Sequence, residues 1–113
     1  MATITMMMLY GILSMPVLAH AQASVESDFA PWAVGDRGKS RGMFQVQARH
    51  WGKVPRSVIG QMKQYNSIIV SLYNSHHSME KAIKAYNGTG RKADKYYVIV
   101  RARVLGMEIL GVI

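Results

Sequence analysis

Apolar residues recur at helical spacing through the second half of the chain. From Pro55 onward, Val58, Met62, Tyr65, Ile69 and Leu72 step by four, three, four and three residues. A helix turning every 3.6 residues stacks such positions on one face, so a buried stripe is expected there. A turn over Asn74 to Ser78 follows. Ser78 is suited to cap the next helix, with Glu80 in its first turn and Met79, Ala82, Ile83 and Tyr86 facing inward until Gly88 stops it. After a polar connector from Thr89 to Lys92, the last helix is expected from about Ala93 to Glu108. Tyr97, Val100, Val104 and Met107 lie on one side of it, and Arg101 and Arg103 fall off that stripe.

The first half is less regular. Pro16 suits the first turn of a helix, where its missing N–H costs nothing, and Val17, Ala21 and Val25 then share a face as far as about Ser27. From Phe29 to Gly42, Pro31, Gly35, Asp36, Gly38 and Gly42 break any period, so this stretch reads as loop. Met43 to Trp51 fits a short helix or an extended turn. The expected architecture is mainly α, a small single domain of four or five helices over residues 14–113, preceded by an apolar lead-in over residues 1–13.

Composition narrows the classes. A chain of 113 residues holds one modest core. It has no cysteine, which removes disulfide, thiol and cysteine-metal chemistry. Lys and Arg number 14 against 6 Asp and Glu, a formal charge of +8 that draws the protein to polyanions such as nucleic acid, anionic lipid or the bacterial wall. The basic residues are scattered from Arg37 to Arg103, so charge alone selects none of these. Aromatic-basic interleaving and recognised DNA motifs are missing, and no nucleic-acid partner is expected.

Residues 1–25 carry no Asp, Glu, Lys or Arg, and Ala19-His20-Ala21 has the small-x-small form of a signal-peptidase site. The stretch lacks the basic start of an export signal, and Gly11, Ser14 and Pro16 interrupt it. The expectation is that Pro16 to Ser27 is a core helix and that nothing is removed at Ala21. A cut there would leave too little chain before Glu26 to hold a stable helical turn.

Ala33 to Ser40 matches a relaxed phosphate-binding loop ending in Gly38-Lys39-Ser40. Such a loop needs a buried strand before it and a helix after it. Residues 29–34 make a poor buried strand and Gly42 follows where the helix should run, so no nucleotide site is expected. His20, His50, His76 and His77 have no zinc-like spacing, and neither metal nor cofactor is expected.

One constellation remains: Glu26-Ser27, then Gly42-Met43-Phe44-Gln45, then Ala85-Tyr86-Asn87. In this order and at these intervals it resembles the soluble lytic transglycosylase domain, a relative of goose-type lysozyme. Members carry a Glu-Ser pair ending the first long helix, a Gly-Leu-Met-Gln-like segment about twenty residues on, and a later Ala-Tyr-Asn. Phe29 to Val34 is also similar to the family's link after the catalytic helix. The likeness covers Pro16 to about Leu105. Met43-Phe44 departs from Leu-Met, the interval from Gln45 to Tyr86 is shorter than in most members, and Asn66 lacks the glycine that follows the family's structural Asn.

The resemblance implies a lysozyme-like helix bundle with a loop-lined cleft and an enzyme that cuts the β-1,4 bond between N-acetylmuramic acid and N-acetylglucosamine. Glu26 would protonate the leaving oxygen. As a base it would then take the proton of the muramyl C6 hydroxyl, which closes on C1 to give a 1,6-anhydro end. Ser27, Gly42, Met43, Phe44, Gln45, Tyr86 and Asn87 would bind substrate, with Met43 and Phe44 as an apolar floor and Tyr86 bonding the Glu26 carboxyl or an N-acetyl group. Apolar neighbours Val25, Phe29 and Phe44 would favour the protonated acid by desolvation. Trp32 and Trp51 are open between sugar stacking and core packing. Asp28, two residues from Glu26, should point elsewhere, so a single-carboxylate mechanism is the economical one. The alternatives are a hydrolase acting on the same bond and a non-catalytic wall-binding or assembly protein of the same fold. The implied partner is the peptidoglycan glycan strand, met at the cell wall in the periplasm or outside the cell, with delivery by a phage particle or a secretion apparatus both open.

Overall fold

The structure is a computed structural model that describes residues 15–88 and 90–109. The lead-in over residues 1–13 lies outside them. Among the described residues the chain is mainly helical, with five α-helices and one small sheet. In chain order these are α1 (Met15–Ser27), β1 (Val34–Gly35), a 3-10 turn (Asp36–Gly38), β2 (Ser40–Arg41), β3 (Val46–Gln47), α2 (Ala48–Trp51), α3 (Val58–His76), α4 (Met79–Asn87) and α5 (Gly90–Ile109). Among the described residues, no helix is long and apolar enough to cross a membrane.

The packing divides the chain into two units. One is Gln22–Ile68; the other joins Met1–Ala21 to Ile69–Ile113, and α1 and α3 run through both divisions.

The second unit is built on apolar periodicity. Val17, Leu18, Ala21, Ile69, Ala82, Ile83, Ala93, Tyr96 and Val100 form its core. Ile69 is wholly buried, which stabilises by about 2–3 kcal/mol through removal of its side chain from water. The Ser78 hydroxyl caps α4 by accepting the Lys81 N–H at 3.2 Å, and Gly88, at φ +138°, ends it. The expected inward residues Ala82 and Ile83 are buried, with Met79 and Tyr86 partly so.

Gln22–Ile68 has a different construction. Helix α1 stops because Asp28 and Phe29 turn into left-handed conformations, with φ of 55° and 65°. Their amides close the helix end by donating to the carbonyls of Ser24 and Ala23. The three strands, each of two residues, pair antiparallel in the order β1-β2-β3, with Val34 opposite Arg41 and Ser40 opposite Gln47. Phe44 stacks on Tyr65 with ring centres 4.4 Å apart, and the Tyr65 hydroxyl donates to the Gln22 side-chain oxygen, all three residues being buried.

Several local expectations are corrected. Helix α3 begins at Val58 rather than Pro55, and Val58 and Met62 are exposed. The inward positions of α3 are Gln61, Tyr65, Ile68 and Ile69, because backbone groups around its first turns need a polar partner there. In α5 the buried aromatic is Tyr96, with Tyr97 partly exposed, and the helix already runs from Gly90, so the polar connector is shorter than expected. Helix α3 also continues to His76, which confines the turn to His77, at φ 56°, and Ser78. Between Met43 and Trp51 a turn, a strand and a four-residue helix all occur.

Candidate functional site

Glu26 sits half-buried in the last turn of α1. Ser27, next to it, joins the helix end to the segment predicted to be its partner. Its hydroxyl donates to the Met43 carbonyl at 2.7 Å and accepts the Ala30 N–H at 3.0 Å. One hydroxyl therefore fixes the chain leaving α1 and the turn at residues 42–45 together.

That turn needs unusual backbone. Gly42 has φ +83°, and a Cβ there would stand 2.8 Å from the Gln61 side-chain oxygen. Its N–H donates to the Ala33 carbonyl at 2.9 Å and its carbonyl accepts from Gln45 N–H at 3.1 Å. Gln45, itself at φ 49°, turns its amide back to donate to the carbonyls of Gly42 at 3.0 Å and Ala33 at 3.3 Å. Met43 and Phe44 between them are buried, 8% and 2% exposed. The predicted segment is thus brought to the end of α1, but its side chains are spent largely on packing and on backbone carbonyls. Tyr86, half-buried, and Asn87, exposed, close α4 in the other unit.

A residue that the pattern of the sequence did not single out organises this unit. Gln61 is 3% exposed, and its amide meets three separate segments. Its oxygen accepts the Met43 N–H at 2.7 Å, and its nitrogen donates to the carbonyls of Pro31 and Pro55, each at 2.9 Å. The available signal was its position four residues before Tyr65 and eight before Ile69, a spacing as good as that of Met62.

Around these ties lies a groove of about 540 Å³, all of its lining drawn from Gln22–Ile68. Its walls include Pro31, Trp32, Val34, Arg41, Lys53 and Arg56, and of the predicted site residues it is lined by Gly42. Trp32 is 81% exposed and Trp51 40%, so neither is core.

The acidic residues are variously engaged. Asp36 accepts the Ser40 hydroxyl at 2.6 Å. Glu80 and Asp94 bind Lys84 at 3.0 and 3.3 Å, and these hydrogen bonds, Glu80's first, hold the Lys84 pKa above its ordinary value. Asp28 is exposed just beyond the end of α1. The Gly38-Lys39-Ser40 run lies in a hairpin that continues into strand β2 rather than a helix. Among the described residues, no three His, Asp or Glu side chains gather as a metal site would require.

Compared with family models, with characterised proteins and with solved structures, the chain shows no significant match to any of them.

Proposed function

We propose that this protein is a peptidoglycan lytic transglycosylase in which Glu26 is the acid and then the base. The observation that carries the reading is the 2.7 Å hydrogen bond from Ser27 to the Met43 carbonyl. It joins two of the three segments on which the family resemblance rests, sixteen residues apart in sequence. A mainly helical chain with a small three-stranded sheet after its first described helix is consistent with a lysozyme-like arrangement.

In this reading Ser27 is a positioning residue. Its hydroxyl spends its one proton on the Met43 carbonyl and accepts the Ala30 N–H, which keeps the end of α1 in register with residues 42–45. Gln45 likewise braces the turn through Ala33 and Gly42. General acid catalysis depends on such fixing, because a proton donor must stand within hydrogen-bond reach of the leaving oxygen. The single-carboxylate mechanism comes from the resemblance; Asp36 is held by Ser40, and Glu80 and Asp94 pair with Lys84 on α4. Glu26 gives its proton to the departing sugar, and the muramyl C6 hydroxyl returns one as it closes on C1. Tyr86 and Asn87 enter through the sequence resemblance alone.

The test is digestion of purified peptidoglycan followed by mass spectrometry. The protein should release muropeptides with 1,6-anhydro ends, and Glu26→Gln should lower the rate roughly 10³-fold with an unchanged circular dichroism spectrum. Reducing ends instead would make the enzyme a hydrolase of the same bond. Near-normal activity of the variant would remove Glu26 from the mechanism.

A further inference from the structure

The groove beside the Gln61 amide has a chemistry that the proposed cleavage does not use. Arg41 from β2 and Lys53 and Arg56 from the loop before α3 line it, all three exposed, and no acidic side chain lies on its walls. None of the three makes an ion pair among the described residues. Trp32 belongs to the same wall and leaves most of its indole in solvent. Three like charges around one concavity repel each other, and an anion placed among them relieves that repulsion.

The groove is also held in shape before any ligand arrives. Gln61 bonds the carbonyl of Pro31, the residue before Trp32, and that of Pro55, the residue before Arg56. The Gln64 amide donates to the carbonyls of Gly52 and Lys53 at 3.3 and 3.2 Å, which anchors the other cation's backbone. Two guanidinium forks on fixed backbone suit carboxylates that can be gripped by paired N–H groups. An exposed indole offers a flat apolar face to whatever carries those carboxylates.

We propose that this groove is a second binding site, for the carboxylate-bearing peptide stems of a peptidoglycan strand. The identity of the occupant rests on the transglycosylase reading; the anion site itself rests on the groove. The site would hold the strand by its peptides while the glycan is cut elsewhere.

Calorimetry on the full chain tests it, with a reduced disaccharide-tetrapeptide as the probe and the N-acetylglucosamine dimer as its neutral counterpart. The disaccharide-tetrapeptide should bind, and bind less tightly as salt rises. The dimer should bind at least tenfold more weakly. The combined change Arg41→Gln, Lys53→Gln and Arg56→Gln should weaken tetrapeptide binding about tenfold. A second variant with the same loss of charge, Arg91→Gln, Lys92→Gln and Arg101→Gln, should change it less than threefold. Equal losses in both variants, or loss in neither, would overturn the site, as would absence of binding by the unaltered protein. Tighter, groove-dependent binding of a single-stranded deoxyoligonucleotide would replace the occupant and overturn the proposal as stated. The outcomes separate cleanly from the proposed function. Anhydro products with no groove effect leave the enzyme and remove the site, whereas groove-dependent stem binding without any cleavage does the reverse.

Discussion

Gln22–Ile68 and the helical unit that includes α4 and α5 solve the problem of folding by opposite means. The helical unit buries apolar side chains at periodic positions, and its polar groups stay outside. In Gln22–Ile68 every buried polar residue of the described core is found: Gln22, Ser40 and Gln61. Asp28, Phe29, Asp36, Arg37 and Gln45, all with positive φ, lie there too, against His77 in the other unit. Two-residue strands cannot satisfy their own surroundings, so side-chain amides and hydroxyls take over the carbonyls and N–H groups that a longer ladder would pair. The difference teaches where a functional surface can be carried. Turns with unusual backbone present side chains in directions a helix cannot, and they persist only if buried polar groups over-determine them.

The largest expected effect comes from removing the most connected of those groups. Gln61→Met keeps the length and much of the shape but leaves the Met43 N–H and the carbonyls of Pro31 and Pro55 without their partner. The cost should be about 3–4 kcal/mol, read from the denaturant midpoint. Hydrogen exchange should accelerate first at amides between residues 30 and 56. Ile83→Ala should cost about 3 kcal/mol through the cavity it leaves, with the acceleration centred on α4 and α5. If Gln61→Met proves neutral, or if both variants loosen the same amides, the two regions are not held differently. Gly42→Ala comes next, at about 2 kcal/mol, since alanine resists φ +83° and its methyl would crowd the Gln61 amide. A stable Gly42→Ala protein would show that the turn at residues 42–45 has more freedom than its bonding suggests.

The same contrast decides what could be read in advance. The capping Ser78, the inward Ala82 and Ile83 and the stop at Gly88 were all legible, because local propensity and periodicity point the same way. So was α1 from its proline start. The sheet was not: strands of two residues such as Val34–Gly35 have no period to detect. Gln61 was passed over because hydropathy treats a buried amide as surface, and only the positions of three distant backbone groups reveal why it faces inward. The Glu26-Ser27 pair and the Gly42–Gln45 segment were legible as motifs. That Ser27 and Gln45 serve the backbone was not, since a motif gives residue types without their hydrogen bonds. The groove cations Arg41, Lys53 and Arg56 are scattered in sequence and meet only through the turns.

The smallest effect belongs to the most visible charge cluster, on the helical side. Lys84 bonds Glu80 one turn earlier and Asp94 on α5, and stands 5.5 Å over the Tyr97 ring. Glu80 and Asp94 are exposed and Lys84 partly so, so water screens the pairs and side-chain entropy offsets them. The hydrogen bonds to Glu80 and then Asp94 raise the Lys84 pKa above its ordinary 10.5. A cation stabilised in the folded state contributes fully below 10.5, and the contribution disappears as pH rises through the raised folded-state value. Melting curves of the protein and of Lys84→Met should therefore differ by about 1–2 °C at neutral pH. The gap should close above the lysine range, and it should also narrow in high salt. Comparing the two proteins at each pH cancels the other lysines and tyrosines that titrate there. A gap as large as that of Ile83→Ala would mean that the helical unit also leans on polar ties, and the contrast between the two regions would fail.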